Sequence, residues 1–139
     1  MEVEVDPDTG GFEVKKVVVV NDVGRAINPD SINGQQYGGT YMGIWRSGFG
    51  AMYYDAQTGV KLNDNYIGYP ATVMNDCGPI DCHIVESGLG WGAYGATGIG
   101  ESGGAMVGTI LPVAVHNAIG EWVDYPTTPD KILKALGKA

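Results

Sequence analysis

The sequence predicts an α+β fold in which a mixed sheet with hairpins packs against a long glycine-rich helix and a buried C-terminal helix. Three observations predict this fold. Two β-branched segments, residues 2–5 and 12–20, are joined by turn residues. Apolar residues recur at helical spacing after Pro29. A further apolar run covers residues 105–119. The 139 residues contain no repeat and no linker, so a single domain is expected.

The first hairpin consists of EVEV and FEVKKVVVV, with DPDTGG as the turn between them. Val17 to Val20 form a continuous apolar run within the second segment. Such runs are typical of strands that are covered on both faces of a sheet. We therefore expect the second strand to be central and covered on both sides.

A long helix is expected to begin at Pro29, with Asn28 as its N-cap. Large apolar residues then recur at intervals of three to five and predict one buried face: Ile32, Tyr37, Tyr41, Ile44, Trp45, Phe49 and Met52. Several glycines interrupt this helix, each at a cost of about 1 kcal/mol relative to alanine: Gly34, Gly38, Gly39 and Gly43. They indicate either close packing on a sheet or a ligand within reach of the backbone and of the Gln35 or Gln36 amide.

The second half of the chain alternates turns and short elements. A second hairpin is predicted to turn at residues 55–59, IDCHIVES reads as a strand, and residues 87–97 form a glycine-rich loop. The run at 105–119 is apolar on every side, which predicts a buried helix that is broken or kinked at Pro112. Thr128 begins a final amphipathic helix, KILKAL.

The charge of the chain excludes one class of partner. The net charge is −8 and no Lys or Arg cluster offsets it, so nucleic-acid binding is not expected.

We find no uninterrupted apolar run of about 18 residues, which predicts no membrane span. The N-terminal MEVEVDPDTGG lacks the basic and apolar regions of a signal peptide, so a cytoplasmic location is expected. Cys77 and Cys82 are interpreted as buried or half-buried thiols rather than metal ligands.

The stretch ATGIGESGG, residues 96–104, matches the glycine spacing of a dinucleotide-binding loop, but its context differs. A dinucleotide loop follows a strand and has an acidic residue about 20 positions later on a second strand. Here the preceding residues are a loop, and Glu121 ends a helix. A carboxylate in the middle of the loop, Glu101, would also repel a pyrophosphate. The glycines are therefore better explained as space around Glu101.

Glu101 is placed at the N-terminus of the apolar helix. The helix dipole favours its ionised form and burial disfavours it, so such a carboxylate can act as a base near neutral pH. The residues alone leave a simpler role open, because carboxylates are common at helix starts.

Five motifs occur in an order that resembles one protein family: DVGRAINP, NGQQYGG, LNDNYIGYP, GATGIGESGG and YPTTPDKILKAL. The series is similar to the C-terminal part of the molybdopterin-binding large subunit of the xanthine dehydrogenase and aldehyde oxidase family. The resemblance covers nearly the whole chain. It implies that residues 1–139 are the C-terminal segment of a larger molybdenum-cofactor-binding domain.

The resemblance implies a role for particular residues. Glu101 would be the catalytic base, Gly34 and Gln35 would contact the molybdopterin, and the backbone of residues 98–100 (Gly98, Ile99 and Gly100) would line the pocket. Arg25 and Asn28 would support the structure near the pterin. The metal would be held by the cofactor, so no metal ligand is expected from the protein. ESGG replaces the proline-rich continuation that is common after the Glu of the family.

The resemblance also implies partners. The cofactor would be molybdopterin, with the cytosine dinucleotide form as one option, while iron–sulfur clusters and FAD would lie on partner chains. Those partners would be a larger molybdopterin-binding chain, an iron–sulfur subunit and a flavin subunit. The expected reaction is hydroxylation of an aldehyde or of an N-heterocyclic or purine carbon with water; redox-neutral hydration is also open. The alternative is a non-catalytic assembly or structural subunit of such a complex.

Overall fold

A three-stranded mixed sheet carries one layer of helices in the computed structural model, which describes residues 1–139. Strands β1 (Glu2–Val5) and β2 (Phe12–Asp22) form the predicted antiparallel hairpin, and β3 (Ile80–Val85) lies parallel to β2 on its other side. The helices are α1 (Pro29–Gly48), α2 (Ser102–Ile119) and α3 (Pro129–Ala135). Single 3₁₀ turns occur at Met74–Asp76 and Ala93–Gly95.

Strand β2 is central, as predicted, but the expectation that both of its faces are covered is wrong within this chain. Val14, Val17 and Val19 face the helices and are buried. Val18 and Val20 face the other way and are 49% and 54% exposed. Only one layer of helices is present, so one face of the sheet has no cover.

Helix α1 begins as predicted. The Asn28 side chain accepts a hydrogen bond from the Ser31 backbone N–H at 3.0 Å, and Pro29 follows in the first turn. The predicted apolar face is only partly correct, because Ile32 and Ile44 are buried whereas Tyr37 is 43% exposed. The other buried residues of α1 are small or polar: Gln36, Gly39, Thr40, Gly43, Ser47 and Gly48.

Helix α2 is buried along one stripe and not on every side, contrary to the expectation. The stripe contains Gly103, Val107, Gly108, Leu111 and Val115, whereas Met106, Ile110 and Val113 are more than a third exposed. By length and composition alone this helix is long and apolar enough to cross a membrane, contrary to the expectation that the chain has no such run. The apolar stripe of α2 packs into the core of this chain, and core helices commonly share this length and composition.

Helix α2 also runs through Pro112 without a break. A proline has no N–H, so the carbonyl of Gly108, four residues earlier, loses its helical donor. The hydroxyl of Ser47 lies 2.8 Å from that carbonyl and 2.6 Å from the Gly43 carbonyl of its own helix. A buried side chain of α1 thus supplies a donor where the hydrogen-bond ladder of α2 is interrupted.

The remaining predictions are largely confirmed. Asp55 to Gly59 form the turn of a small hairpin with one bridge between Tyr54 and Lys61. Residues 87–97 form a loop apart from the 3₁₀ turn, and α3 begins after Thr128 and buries Ile132. Cys77 is buried and Cys82 partly buried, and both are free thiols.

Candidate functional site

The candidate site lies at the edge of the sheet where the parallel strands β2 and β3 end. Two loops leave this edge: residues 23–28 lead into α1, and residues 86–101 lead into α2. Backbone hydrogen bonds join the two loops, from Thr97 N–H to the Val23 carbonyl at 2.8 Å and from Gly88 N–H to the Gly24 carbonyl at 3.0 Å. The carboxyl ends of parallel strands are a common place for ligand sites, because loops from different strands meet there.

Two carboxylates fix these loops to each other. Asp22 accepts hydrogen bonds from the backbone N–H groups of Gly24 at 2.9 Å and Ser87 at 3.3 Å. The Gly24 N–H is the main reason why the pKa of Asp22 lies below its usual value. Glu86 accepts from the Ala26 N–H at 2.7 Å. Both acids therefore support the backbone of the site.

Glycine contacts set the position of α2 beside α1. A methyl group at Gly39 would lie 2.6 Å from the backbone nitrogen of Gly104, and one at Gly43 would lie 2.7 Å from Cβ of Val107. The contacts advance in the same direction along both helices, so α1 and α2 are parallel. Close packing is confirmed for these two glycines, since only a residue without Cβ permits this approach, but they pack against helix α2 and not against the sheet as expected.

The parallel packing brings together segments that are far apart in the sequence. A methyl group at Gly103 would lie 3.2 Å from the carbonyl oxygen of Gln36 and 3.6 Å from that of Gln35. The first turn of α2 thus rests on the turn of α1 that carries Gln35. The loop that precedes α2 and holds residues 98–100 leads directly to this contact.

The other predicted site glycines have free space in front of them. At Gly34, Gly38, Gly98 and Gly100 an added methyl group would find no heavy atom within 4 Å. Gln35 is exposed and Ile99 is partly buried. These glycines therefore do not pack against this chain and leave backbone open to a ligand or to a partner.

Three buried polar atoms near this contact have no hydrogen-bond partner: Oδ1 of Asn33, Nε2 of Gln36 and Oγ of Ser102. Gln36 is fully buried, and its Oε1 accepts from Asn21 at the end of β2 at 3.3 Å. Buried polar groups are normally paired, so unpaired ones indicate an incomplete environment. All three lie in the first turns of α1 and α2, where the predicted cofactor contacts are.

Glu101 stands immediately before α2, as predicted, but it is exposed, so the expected burial is not provided by this chain. Its side chain makes no capping hydrogen bond to the helix. It lines a small cleft of about 200 Å³ together with Met42, Trp45, Arg46, Gly104 and Ala105. An Arg46 guanidinium nitrogen donates to the Gly104 carbonyl at 3.3 Å. The carboxylate therefore faces a concave surface that contains one cation and a Met–Trp wall.

A larger cleft of about 830 Å³ adjoins the first one and shares Met42 and Trp45 with it. Its other wall is formed by the segment 61–72, which contains the LNDNYIGYP motif. Trp45 packs edge-on against Tyr69, with ring centroids 5.0 Å apart, and its Nε1 donates to the Pro70 carbonyl at 2.5 Å. Sequence reasoning singled out neither this cleft nor Arg46, although the dense aromatic residues of the motif are a usable signal.

Asn28 and Arg25, which were expected to support the site, differ in the structural role that they play. Asn28 caps α1 and so fixes the helix that carries Gln35. Arg25 is exposed in the loop between β2 and α1.

Comparison with known proteins places this geometry in a family. The profile of the molybdopterin cofactor-binding domain family matches residues 1–78. The chain is 32% identical to the nicotine 6-hydroxylase large subunit of Paenarthrobacter nicotinovorans, over 96% of this chain and 17% of that protein. It is also 32% identical to the xanthine dehydrogenase molybdenum-binding subunit of Escherichia coli O157:H7, over 86% of this chain and 16% of that protein.

The fold is also found in solved structures. Quinoline 2-oxidoreductase from Pseudomonas putida 86 superposes with a TM-score of 0.90 at 25% identity, over 98% of this chain and 18% of that one. The chain thus spans less than a fifth of the length of the proteins that it matches. The chain belongs to the molybdopterin cofactor-binding domain family and corresponds to a part of molybdenum-binding subunits of the xanthine dehydrogenase and aldehyde oxidoreductase type.

Proposed function

We propose that the chain is a component of a molybdenum hydroxylase, which oxidises an aldehyde or an N-heterocyclic or purine carbon with water. In this proposal Glu101 is the catalytic base, and residues 34–35 and 98–100 form part of the wall of the molybdopterin pocket. One observation carries the proposal: the parallel helices bring the turn with Gln35 against the start of α2, which Glu101 precedes.

The residues present fit a bound molybdopterin. Gly34, Gly98 and Gly100 leave room for close approach, and the exposed amide side chain of Gln35 lies on the same turn of α1 that meets the start of α2. Backbone N–H groups and amide side chains are suitable donors to a pterin and to its phosphate. When bound, the cofactor supplies the redox chemistry and holds its metal through its own dithiolene.

Glu101 would accept a proton from the water-derived nucleophile as it attacks the substrate carbon. Met42 and Trp45 provide an apolar wall beside it that suits a flat aromatic substrate. A positioned general base contributes about 10²–10⁴-fold to the rate of such a step. The exposure of Glu101 in this chain means that other parts of the assembly must exclude water from it.

The proposed assembly contains a larger molybdopterin-binding chain together with iron–sulfur and flavin subunits that carry electrons away, in the cytoplasm. Two relatives are themselves described as subunits of larger complexes, one as a large subunit and one as a gamma subunit. This chain carries two cysteines, and both are free thiols. The electron-transfer centres are therefore assigned to partners.

The test is Glu101→Gln in the assembled complex, which removes the base but keeps the size of the side chain. We expect turnover to fall by about 10²-fold or more while the molybdenum and pterin content stays unchanged. Glu121→Gln is the matched control, because Glu121 is also exposed but lies after the other end of α2. Normal turnover in Glu101→Gln would contradict the assignment. The mass of the extracted pterin distinguishes plain molybdopterin from the cytosine dinucleotide form.

The exposure of Glu101 also favours a second candidate, a non-catalytic assembly or structural subunit that has kept the fold. This role predicts that the purified complex contains no molybdopterin. Elemental analysis and pterin extraction separate the two candidates without a known substrate.

A further inference from the structure

One face of the sheet has no cover in this chain. Val18 and Val20 of β2 and Val85 of β3 lie on the face opposite the helices and are 49%, 54% and 43% exposed. We call these three residues the outer valines. Lys16 and Asp81 form an ion pair of 2.7 Å across the same two strands. In the strand register Val18 lies beside Asp81 and Val20 beside His83, so this face combines the outer valines with polar side chains.

The strand arrangement indicates that this face is covered in the functional protein. Continuous apolar runs such as Val17–Val20 are typical of strands in parallel arrangements that are covered on both faces. Here β2 and β3 are parallel, yet only the helix side is filled. The strand order also leaves β1 and β3 with one partner each, so both edges of the sheet are free to be extended.

We propose that the outer valines dock onto the remaining part of the molybdopterin-binding subunit. This inference rests on the proposed function, because it takes its occupant from the proposed assembly. The structural match covers 98% of this chain but only 18% of the solved neighbour, so most of that neighbour lies outside the matched region. A second copy of this chain is a poorer occupant, because each copy carries a net charge of −8 and the two would repel each other.

The docking surface continues towards the candidate site. Leu89 and Trp91 lie in the loop that follows β3 and are 78% and 98% exposed. This loop is hydrogen-bonded to the start of the loop that leads into α1. A partner seated on the outer valines and on Trp91 would reach the edge of the sheet at which Gly98 and Gly100 leave open space.

The proposal is tested by measuring complex assembly, not turnover. The chain is co-expressed with the larger molybdopterin-binding chain of the same organism, and the complex is captured through this chain and sized by sedimentation. The double variant Val18→Asp/Val20→Asp should reduce the amount of larger chain recovered with this chain roughly tenfold or more, because two carboxylates would be buried without partners. Val60→Asp is the matched control, because Val60 is 59% exposed and belongs to the 55–60 hairpin instead.

A second variant separates lost docking from lost folding. Val18→Thr with Val20→Thr keeps the branched shape and the strand preference, so a smaller loss of recovery is expected with an unchanged circular dichroism spectrum. Undiminished recovery of the double Asp variant would overturn the proposal. So would a wild-type chain that sediments as a dimer which the Asp variant alone dissociates. Neither readout depends on cofactor or turnover, so a failed Glu101 assignment would leave this result interpretable.

Discussion

Two neighbouring glycines of α1 offer a direct test of the helix packing. Gly38 faces open space, whereas a methyl group at Gly39 would lie 2.6 Å from the backbone nitrogen of Gly104 and 3.0 Å from Cα of Gly103. Both glycines are in the interior of the same helix, so alanine gives both the same gain in helix propensity, about 0.5–1 kcal/mol. Their difference therefore isolates the contact with α2.

Gly38→Ala is expected to raise the free energy of unfolding by about 0.5–1 kcal/mol. Gly39→Ala gains the same amount but forces the helix backbones apart, which costs about 1–3 kcal/mol. The backbone of Gly103 and Gly104 has no flexible end that could move aside. Gly39→Ala should therefore be less stable than Gly38→Ala by about 1–3 kcal/mol.

The assay is urea unfolding followed by the helical circular dichroism signal, analysed by linear extrapolation. With a slope of about 2 kcal/mol per molar urea, the two midpoints should differ by roughly 0.5–1.5 M. Equal midpoints, or a Gly38→Ala variant that is the less stable of the two, would refute the parallel glycine contact. The slopes should agree, because neither change alters the surface exposed on unfolding.

Two further predictions concern buried groups. Ser47→Ala should lower the free energy of unfolding by about 1–3 kcal/mol, because the buried Gly108 carbonyl loses its donor. Ser31→Ala is the exposed control in the same helix and should change the free energy by less than about 0.5 kcal/mol. Thermal unfolding measures both variants. Burial raises the pKa of Cys77 from about 9 to about 11, so the unfolded chain loses this proton first on a rise in pH, and stability should fall between about pH 9 and pH 11. Urea midpoints measured across this range check the effect, and a Cys77→Ala variant should lack it.

Local signals predicted the elements well. The Asn28–Pro29 pair marks the start of α1 through chemistry within one turn, and DPDTGG marks the first hairpin in the same way. The exposure of Val18 and Val20 could not be predicted from local sequence, because the layer expected to cover them is absent from this chain.

The buried face of α1 was the least predictable part of the fold. Hydrophobic periodicity selected Tyr37 and Trp45, whereas the contact with α2 uses Gly39, Gly43 and Ser47. A glycine contact leaves no apolar signal, so its partner cannot be inferred from residue types alone. Family resemblance assigned Gln35 and Glu101, but their approach depends on the register of two parallel helices, which is a non-local property. Both Glu101 and Val18 were expected to be buried, but in this chain alone no segment covers them.

The backbone contact between α1 and α2 has a mechanical consequence. Where helices meet through long side chains, rotamer changes absorb small movements, but Gly39 and Gly104 have none to change. A displacement of α1 should therefore be passed on to the first turn of α2 with little damping. Gln35 and Glu101 should move as one rigid body, so their separation stays constant while neighbouring subunits rearrange around them.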